Sequence, residues 1–241
     1  MGNEPIRVAI AGICGRMGSL VRDVVESAPS LRYVGGLARC AQPEERVYSD
    51  MAQLCTQSLP DVLVDFTVAA ASRDLVMTAV RAGVRPLIGT SGWNAQDRQA
   101  LAQALDERGI GGLLVPNFAI GAVLMMRFAA QAAAQFVGVE IVEMHHDAKR
   151  DAPSGTAVLT AERIAAARAD GLVPVIHSVR LRGLLAHQEV LLGNDGEVLT
   201  IRHDTLSRDA FKPGIALALA SIGSLRGLHV GLEAVLPEPR S

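Results

Sequence analysis

The chain has 241 residues, 49% of them hydrophobic but only 3% aromatic, and a formal net charge of −2. That length suits one large α/β domain or two modest ones, and the Ala, Val, Leu and Ile bias suits parallel strands buried on both faces. Charge is interspersed without a basic stripe and rings for stacking are scarce, so no nucleic-acid partner is expected.

At the N-terminus, Met1-Gly2-Asn3-Glu4-Pro5 shows neither the basic region nor the apolar stretch of a leader peptide. Ile6 to Ala11 is a β-branched run ending at Gly12, and Met17, Leu20, Val21, Val24 and Val25 follow at helical spacing. Tyr33 to Ala38, Asp61 to Phe66 and Val84 to Ile88 read as further strands. Leu75, Val76, Ala79 and Val80 form a helical stripe before the last of these, with Gly83 as its stop. Asn94 caps a helix bearing Leu101, Ala104 and Leu105 that ends at Gly109, and Leu113 to Val115 is a fifth strand. Such alternation predicts a parallel, doubly wound sheet with right-handed crossovers.

Near Pro116-Asn117 the rhythm changes. An Ala-rich helix (about Gly121 to Phe136), a strand from Val139 to His146 and a helix from Gly155 to Arg168 come next. Strands at Val175 to Leu181, His187 to Leu192 and Val198 to His203 then follow without helices between them. Asn194-Asp195-Gly196 is a hairpin signal. This half predicts an open mixed or antiparallel sheet with helices on one face, and a final helix, about Ala216 to Leu225. The fold class expected is α/β: an N-terminal Rossmann-type parallel sheet and a C-terminal α+β domain. The boundaries read as 1–117 for a dinucleotide domain, 118–214 for a substrate and oligomerisation domain, and 215–241 for a tail returning to the first.

The longest uncharged run, Ile110 to Met126, is broken by Pro116, Asn117 and glycines and falls short of the roughly 18 apolar residues of a spanning helix, so no membrane partner is expected. Cys14, Cys40 and Cys55 have no framework spacing, which predicts free thiols and a cytoplasmic location.

Two motifs carry chemistry. Glycines at 12, 15 and 18 lie between a strand and a helix. Gly12 permits the tight exit, Gly18 permits close helix–strand contact, and the helix N-terminus supplies partial positive charge for a pyrophosphate. Cys14 stands where a middle glycine is usual, and Arg16 adds a charged donor. After the second strand come Ala38-Arg39 rather than the acid that binds a ribose 2′-hydroxyl. A guanidinium there suits a 2′-phosphate, so NADPH is the expected cofactor, with NADH also accepted. A solvated surface arginine is the bland alternative.

The second motif is the stretch Glu143-Met144-His145-His146-Asp147-Ala148-Lys149-Arg150-Asp151-Ala152-Pro153-Ser154-Gly155-Thr156-Ala157. Ser154 can cap the helix, leaving the Gly155 and Thr156 amides to bind a carboxylate or phosphate. Lys149 is a candidate general acid. His145 and His146 face opposite sides if the strand is regular. Blander readings are a loop ion pair between Lys149 and Asp151, and simple capping by Ser154. The spacing does not converge on one metal ion, so no metal is expected, and there is no G-x-S-x-G elbow for a hydrolase.

Together these residues resemble the dihydrodipicolinate reductase family. The likeness runs through Val8 to Gly12 and Gly15-Arg16-Met17-Gly18, Asp65-Phe66-Thr67, Gly89-Thr90-Ser91-Gly92, Pro116-Asn117-Phe118 with Ile120-Gly121, and His145 to Ala157. His203, Ser207-Arg208, Phe211 and Gly214 resemble its closing motif. The resemblance implies NAD(P)H-dependent reduction of a cyclic dicarboxylate to tetrahydrodipicolinate in lysine and diaminopimelate synthesis. It implies acid/base roles for His145 and Lys149, with Lys149 favoured as proton donor, and substrate contacts from His146 and Gly155-Thr156. It implies cofactor contacts from Gly12, Ile13, Cys14, Gly15, Arg16 and Met17, from Gly89, Thr90 and Ser91, and from Val115, Pro116, Asn117 and Phe118. It also implies a homotetramer assembled through the second domain's sheet. The chain departs from the family at Cys14, at Ser91 and at Ala38-Arg39, and is a little short for it. An inactive nucleotide sensor on the same fold is the alternative function.

Overall fold

Ile6–Ala11 form β1, whose last four residues are buried, and Gly12 turns the chain into α1, Arg16–Ser27. A computed structural model describes residues 4–40 and 42–237; Met1–Asn3, where the leader reading begins, Ala41 and residues 238–241 of the tail lie outside the described residues. Two compact units emerge: Met1–Phe118 together with Lys212–Ser241, and Ala119–Phe211.

The first unit is built on a seven-stranded sheet in the order β11-β6-β5-β4-β1-β2-β3. Its strands are β1, β2 (Leu31–Leu37), β3 (Val47–Tyr48), β4 (Val62–Asp65), β5 (Arg85–Ile88), β6 (Gly111–Leu114) and β11 (Gly227–Val230). Every pairing is parallel. All four residues of β4 and of β6 are buried, as strands covered on both faces require. The chain runs outward from β1 to β3, then returns to β4 on β1's other side. The switch point therefore lies between β1 and β4, where open α/β sheets bind ligands beyond the strands' carboxyl ends.

Helices α2 (Met51–Ser58), α3 (Ala69–Arg81) and α4 (Ala95–Arg108) connect the strands. Asn94 caps α4 through a reciprocal box with Asp97, and Gly109 closes it at φ +64°. Gly83, just past α3, adopts φ +81°. Ala9, Leu54, Leu63 and Ala79 sit in one buried apolar cluster, and Val76, Ile88, Trp93, Leu101 and Leu105 in another.

In the second unit, α5 (Ile120–Ala133) and α6 (Gly155–Ala167) cover one face of a four-stranded sheet, β10-β9-β7-β8. β7 (Gly138–His145) pairs parallel with β8 (Val175–Arg180) and antiparallel with β9 (Ala186–Asn194), which pairs antiparallel with β10 (Glu197–Thr205). The sheet is mixed because α6 makes β7 and β8 a crossover unit, whereas a tight turn at Gly196, φ +84°, joins β9 to β10. Ile141, Val190, Leu192, Ala157, Ala161 and Ile164 are the buried core beneath the helices. α5 and α6 meet there, with Ala129 and Ala133 of the first and Ala157 and Ala161 of the second buried in the same cluster.

α7 spans Lys212–Ser221, four residues earlier than the apolar pattern at Ala216 suggests. Pro213 is its second residue, in the first turn, where a missing N–H costs nothing. β11 then joins the first sheet beside β6.

Candidate active site

The glycine turn has the geometry its spacing demands. Gly12 sits at φ +82°, and a Cβ there would lie 2.5 Å from the Phe66 carbonyl oxygen. A Cβ on Gly18 would lie 2.2 Å from the Gly12 carbonyl oxygen, so only glycine lets α1 start this close to the loop. Gly15 is the N-cap and offers no side chain to the first-turn amides. Those amides stay available to an anion at the positive end of the helix. Ile13 is buried; Cys14 and Arg16 are exposed, Met17 is half-buried, and Arg39 is exposed just beyond β2.

Two neighbouring loops leave the same edge of the sheet. Gly89 follows β5, and a Cβ there would meet the Phe66 ring at 2.2 Å. Phe66 in turn meets Phe118, ring centroids 5.4 Å apart. Thr90 is buried and Ser91 exposed; Val115 is buried, Pro116 exposed, Asn117 half-buried and Phe118 buried. Asp65, fully buried at the end of β4, accepts bonds from the Thr67 amide (3.0 Å) and hydroxyl (2.6 Å) and a short one from Ser72. Trp93 Nε1 donates to Ser72 Oγ at 3.0 Å, so one carboxylate ties the β4 loop to the segment after Ser91.

In the second unit, the chain from β7 to α6 holds the polar cluster. β7 ends at His145, and His146 opens a turn closed by the Lys149 amide donating to the His146 carbonyl, 3.1 Å. Strict alternation of sides therefore stops before His146. Lys149 Nζ donates to both carboxylate oxygens of Asp151 at 2.8 Å, and that bond holds the Asp151 carboxyl below its usual range. Ser154 is buried and its Oγ accepts from the Ala157 amide at 3.2 Å, the expected cap. Gly155 is exposed, and a Cβ there would enter open space. Thr156 is half-buried.

Glu143 organises this cluster, and it drew no role from the sequence. It is fully buried. Its Oε2 meets His145 Nδ1 at 2.5 Å and accepts from Arg180 Nη1 at 3.0 Å; its Oε1 accepts from Arg180 Nη2 at 2.8 Å and from the Ser154 amide at 3.2 Å. Burial alone would raise the Glu143 pKa. The Arg180 fork, Ser178 and His145 outweigh it and hold the carboxyl below the usual glutamate value. His145 is held below the ordinary histidine value by burial; the Glu143 contact opposes this, and the nearby Lys149 and Arg180 charges add to it. Arg180 Nη2 also donates to the Asp151 carbonyl at 2.7 Å, fixing the loop that carries Lys149.

The signal that could have revealed Glu143 is its i, i+2 relation to His145 on one strand face. Arg180 is reachable only through the β7–β8 register, which pairs it with His145. Among the described residues no group of three or more His, Cys, Asp or Glu side chains is arranged to hold a metal ion. None of their helices is long and apolar enough to cross a membrane.

Comparison with known proteins places both units. Residues 6–118 match the family described as "Dihydrodipicolinate reductase, N-terminus", and residues 121–236 match "Dihydrodipicolinate reductase, C-terminus". A 4-hydroxy-tetrahydrodipicolinate reductase of Bacillus licheniformis is 40% identical over 266 aligned positions, covering 98% of this chain and all of the relative. That alignment is longer than the chain, so the relative carries residues this chain lacks. The enzyme of the same name from Moorella thermoacetica is 40% identical over 96% of this chain and 98% of its own. Among solved structures, a dipicolinate-bound dihydrodipicolinate reductase from Paenisporosarcina sp. TG-14 aligns with a TM-score of 0.85 and 36% identity over 96% of this chain and all of that one. An apo scyllo-inositol dehydrogenase from Lactobacillus casei, 12% identical with a TM-score of 0.69 over 97% and 92% of the two chains, shares the fold alone.

Proposed function

The chain belongs to the dihydrodipicolinate reductase family, an NAD(P)H-dependent oxidoreductase family of lysine and diaminopimelate synthesis, and on that premise we propose how its residues divide the reaction. The reaction is reduction of 4-hydroxy-tetrahydrodipicolinate to tetrahydrodipicolinate. When bound, the reduced nicotinamide supplies the hydride; the protein must bind both molecules and manage a proton. A nucleotide sensor without turnover gains no support from relatives that are named reductases over their whole length.

The first unit holds the nucleotide. Gly12, Ile13, Cys14, Gly15, Arg16 and Met17 present the pyrophosphate loop, and the fit rests on the uncapped α1 start and on glycines whose Cβ atoms would collide with backbone. Gly89, Thr90 and Ser91 and the segment Val115, Pro116, Asn117 and Phe118 line the sheet edge where the nicotinamide half would lie. Arg39, exposed past β2, takes the 2′-phosphate of NADPH. One charge-assisted bond of about 1.5–3 kcal/mol favours NADPH by one to two decades without excluding NADH.

The second unit holds the substrate. The Gly155 and Thr156 amides and Ser154 at the α6 start receive one carboxylate, and His146 and Lys149 complement the negative charge. Lys149 donates the proton and His145 completes the acid/base pair. One observation carries this reading: His145, Lys149 and the open helix start at Gly155 belong to a single hydrogen-bonded cluster around Glu143, Arg180 and Asp151. The open space beside Gly155 supports it, since neither neighbouring atoms nor a positive φ require glycine there.

We place the enzyme in the cytoplasm, on its free Cys14, Cys40 and Cys55, and assemble it as a homotetramer through the helix-free face of the second unit's sheet. The test is oxidation of each nucleotide with substrate generated in situ by dihydrodipicolinate synthase. NADPH should be consumed faster than NADH. Arg39→Glu should shift the ratio of kcat/KM values at least tenfold toward NADH. No turnover with either nucleotide would defeat the reductase reading, and an unchanged ratio would remove Arg39 from it.

A further inference from the structure

Glu143 lies on the helix-covered face of its sheet, in a row of polar residues one from each strand: Ser178, Glu143, Gln188 and His203. The next rows on that face are apolar, through Ile176, Ile141, Val190 and Ile201. A carboxylate fully withdrawn from water at the border of such a core needs a reason. Around it are Arg180 and Ser178 from β8, the Lys149–Asp151 loop, and Ser154 at the start of α6. From β9 its partner is Gln188, and the partner of His145 is Ala186, neither of them charged; His203 lies beyond Gln188.

We propose that Glu143 is the positioning residue of this enzyme: it fixes His145 as the tautomer protonated at Nδ1, leaves Nε2 as an unprotonated acceptor, and with its other oxygen sets the α6 start that binds the substrate carboxylate.

Both amino groups of Arg180 and the Ser154 amide can only donate to Glu143. A carboxylate receiving those bonds is ionised, so the 2.5 Å contact with His145 requires a proton on Nδ1. A neutral imidazole protonated there has its lone pair on Nε2. The imidazolium is disfavoured because His145 is largely buried and lies near the Lys149 and Arg180 charges. The consequence sharpens the division of roles on which this inference rests. His145 at neutral pH has no proton to give from Nε2 and acts as acceptor, and Lys149 is left as the donor.

A positioning role differs from mere stapling of β7, β8 and α6 in what it does to the His145 protons. Neutron diffraction from a deuterium-exchanged crystal of the full chain near pD 7.5 should show deuterium on His145 Nδ1 and none on Nε2. Deuterium on Nε2, alone or with Nδ1, overturns the proposal, and this measurement needs neither turnover nor a variant. In the coupled assay, Glu143→Gln should lower kcat about 10²-fold and leave the NADPH dissociation constant within twofold. In a His145→Ala background the same substitution should lower kcat by less than threefold. Equal losses in both backgrounds would mean that Glu143 does not act through His145, and the proposal falls. If the wild-type protein turns over neither nucleotide, the reductase reading fails while the neutron result still decides the tautomer.

Discussion

Lys149 shows how much one side chain's surroundings matter. Its ammonium is forked onto Asp151, and its side chain is only 21% exposed, so it is held in place yet reachable. An ordinary loop ion pair would look similar in energy, worth about 0–1 kcal/mol. Its neighbours differ: Arg180 binds the Asp151 carbonyl and Glu143, so the loop is braced by the same guanidinium that neutralises the buried acid. Lys149→Ala should therefore lower kcat by about 10²–10⁴-fold, the range for a lost proton donor, with nucleotide affinity unchanged in a fluorescence titration. A loss expressed mainly in nucleotide affinity would show that Lys149 serves binding instead. At this scale the sequence displayed His145, Lys149 and Ser154 because they fall within ten residues of one another. Arg180 lies 37 positions from Glu143, and only the pairing of β8 with β7 brings the two together.

Secondary elements were legible where periodicity and punctuation agreed. β1, α1, α4 with its Asn94 cap, and α6 with its Ser154 cap have both. The missed elements lack one or the other. α2 has eight residues and buries only Met51, Leu54 and Cys55, too short a stripe to stand out despite its Asp50 cap. β3 is two residues long, and β11, Gly-Leu-His-Val, is a strand only because β6 offers it an edge. Glycine positions test the same logic in reverse. Gly18→Ala forces a methyl group against the Gly12 carbonyl and the Ile13 Cα, backbone atoms that cannot turn aside. Overpacking of this kind costs about 1–3 kcal/mol. Urea unfolding should register that loss together with weaker NADPH binding. Gly155→Ala is the contrast, because its methyl group meets no neighbour. It should leave the unfolding midpoint unchanged and raise the substrate KM. Equal stability of the Gly18 variant and wild type would refute the close approach of α1 to its loop.

For the molecule as a whole, the open face of the second sheet is the feature that pattern alone half-revealed. Alternation along β7 to β10 puts Ile141, Glu143, Val190 and Ile201 under the helices, and therefore turns Val142, Met144, Val175, Val179, Leu191 and Val198 outward. Val175 and Val198 are 58% and 70% exposed, and the face also carries the pairs Glu140–His177, Glu189–Arg202 and His187–Asp204. Apolar residues interleaved with ion pairs make a surface that self-association would shield, and β8 and β10 are open edges of the same sheet. Symmetric assembly would bring like patches together, so one substitution acts in every copy. Leu191 sits on the interior strand β9, opposite Glu140 of β7. Leu191→Glu places a second carboxylate beside that glutamate, repulsive within the chain and costly to bury between chains. Sedimentation equilibrium should show the wild type as a tetramer and the variant as smaller species with an unchanged far-ultraviolet circular dichroism spectrum. NADPH affinity should persist in the variant, since the proposed nucleotide residues all belong to the other unit. A wild type that sediments as a monomer, or a Leu191→Glu tetramer of undiminished stability, would remove this face from the assembly.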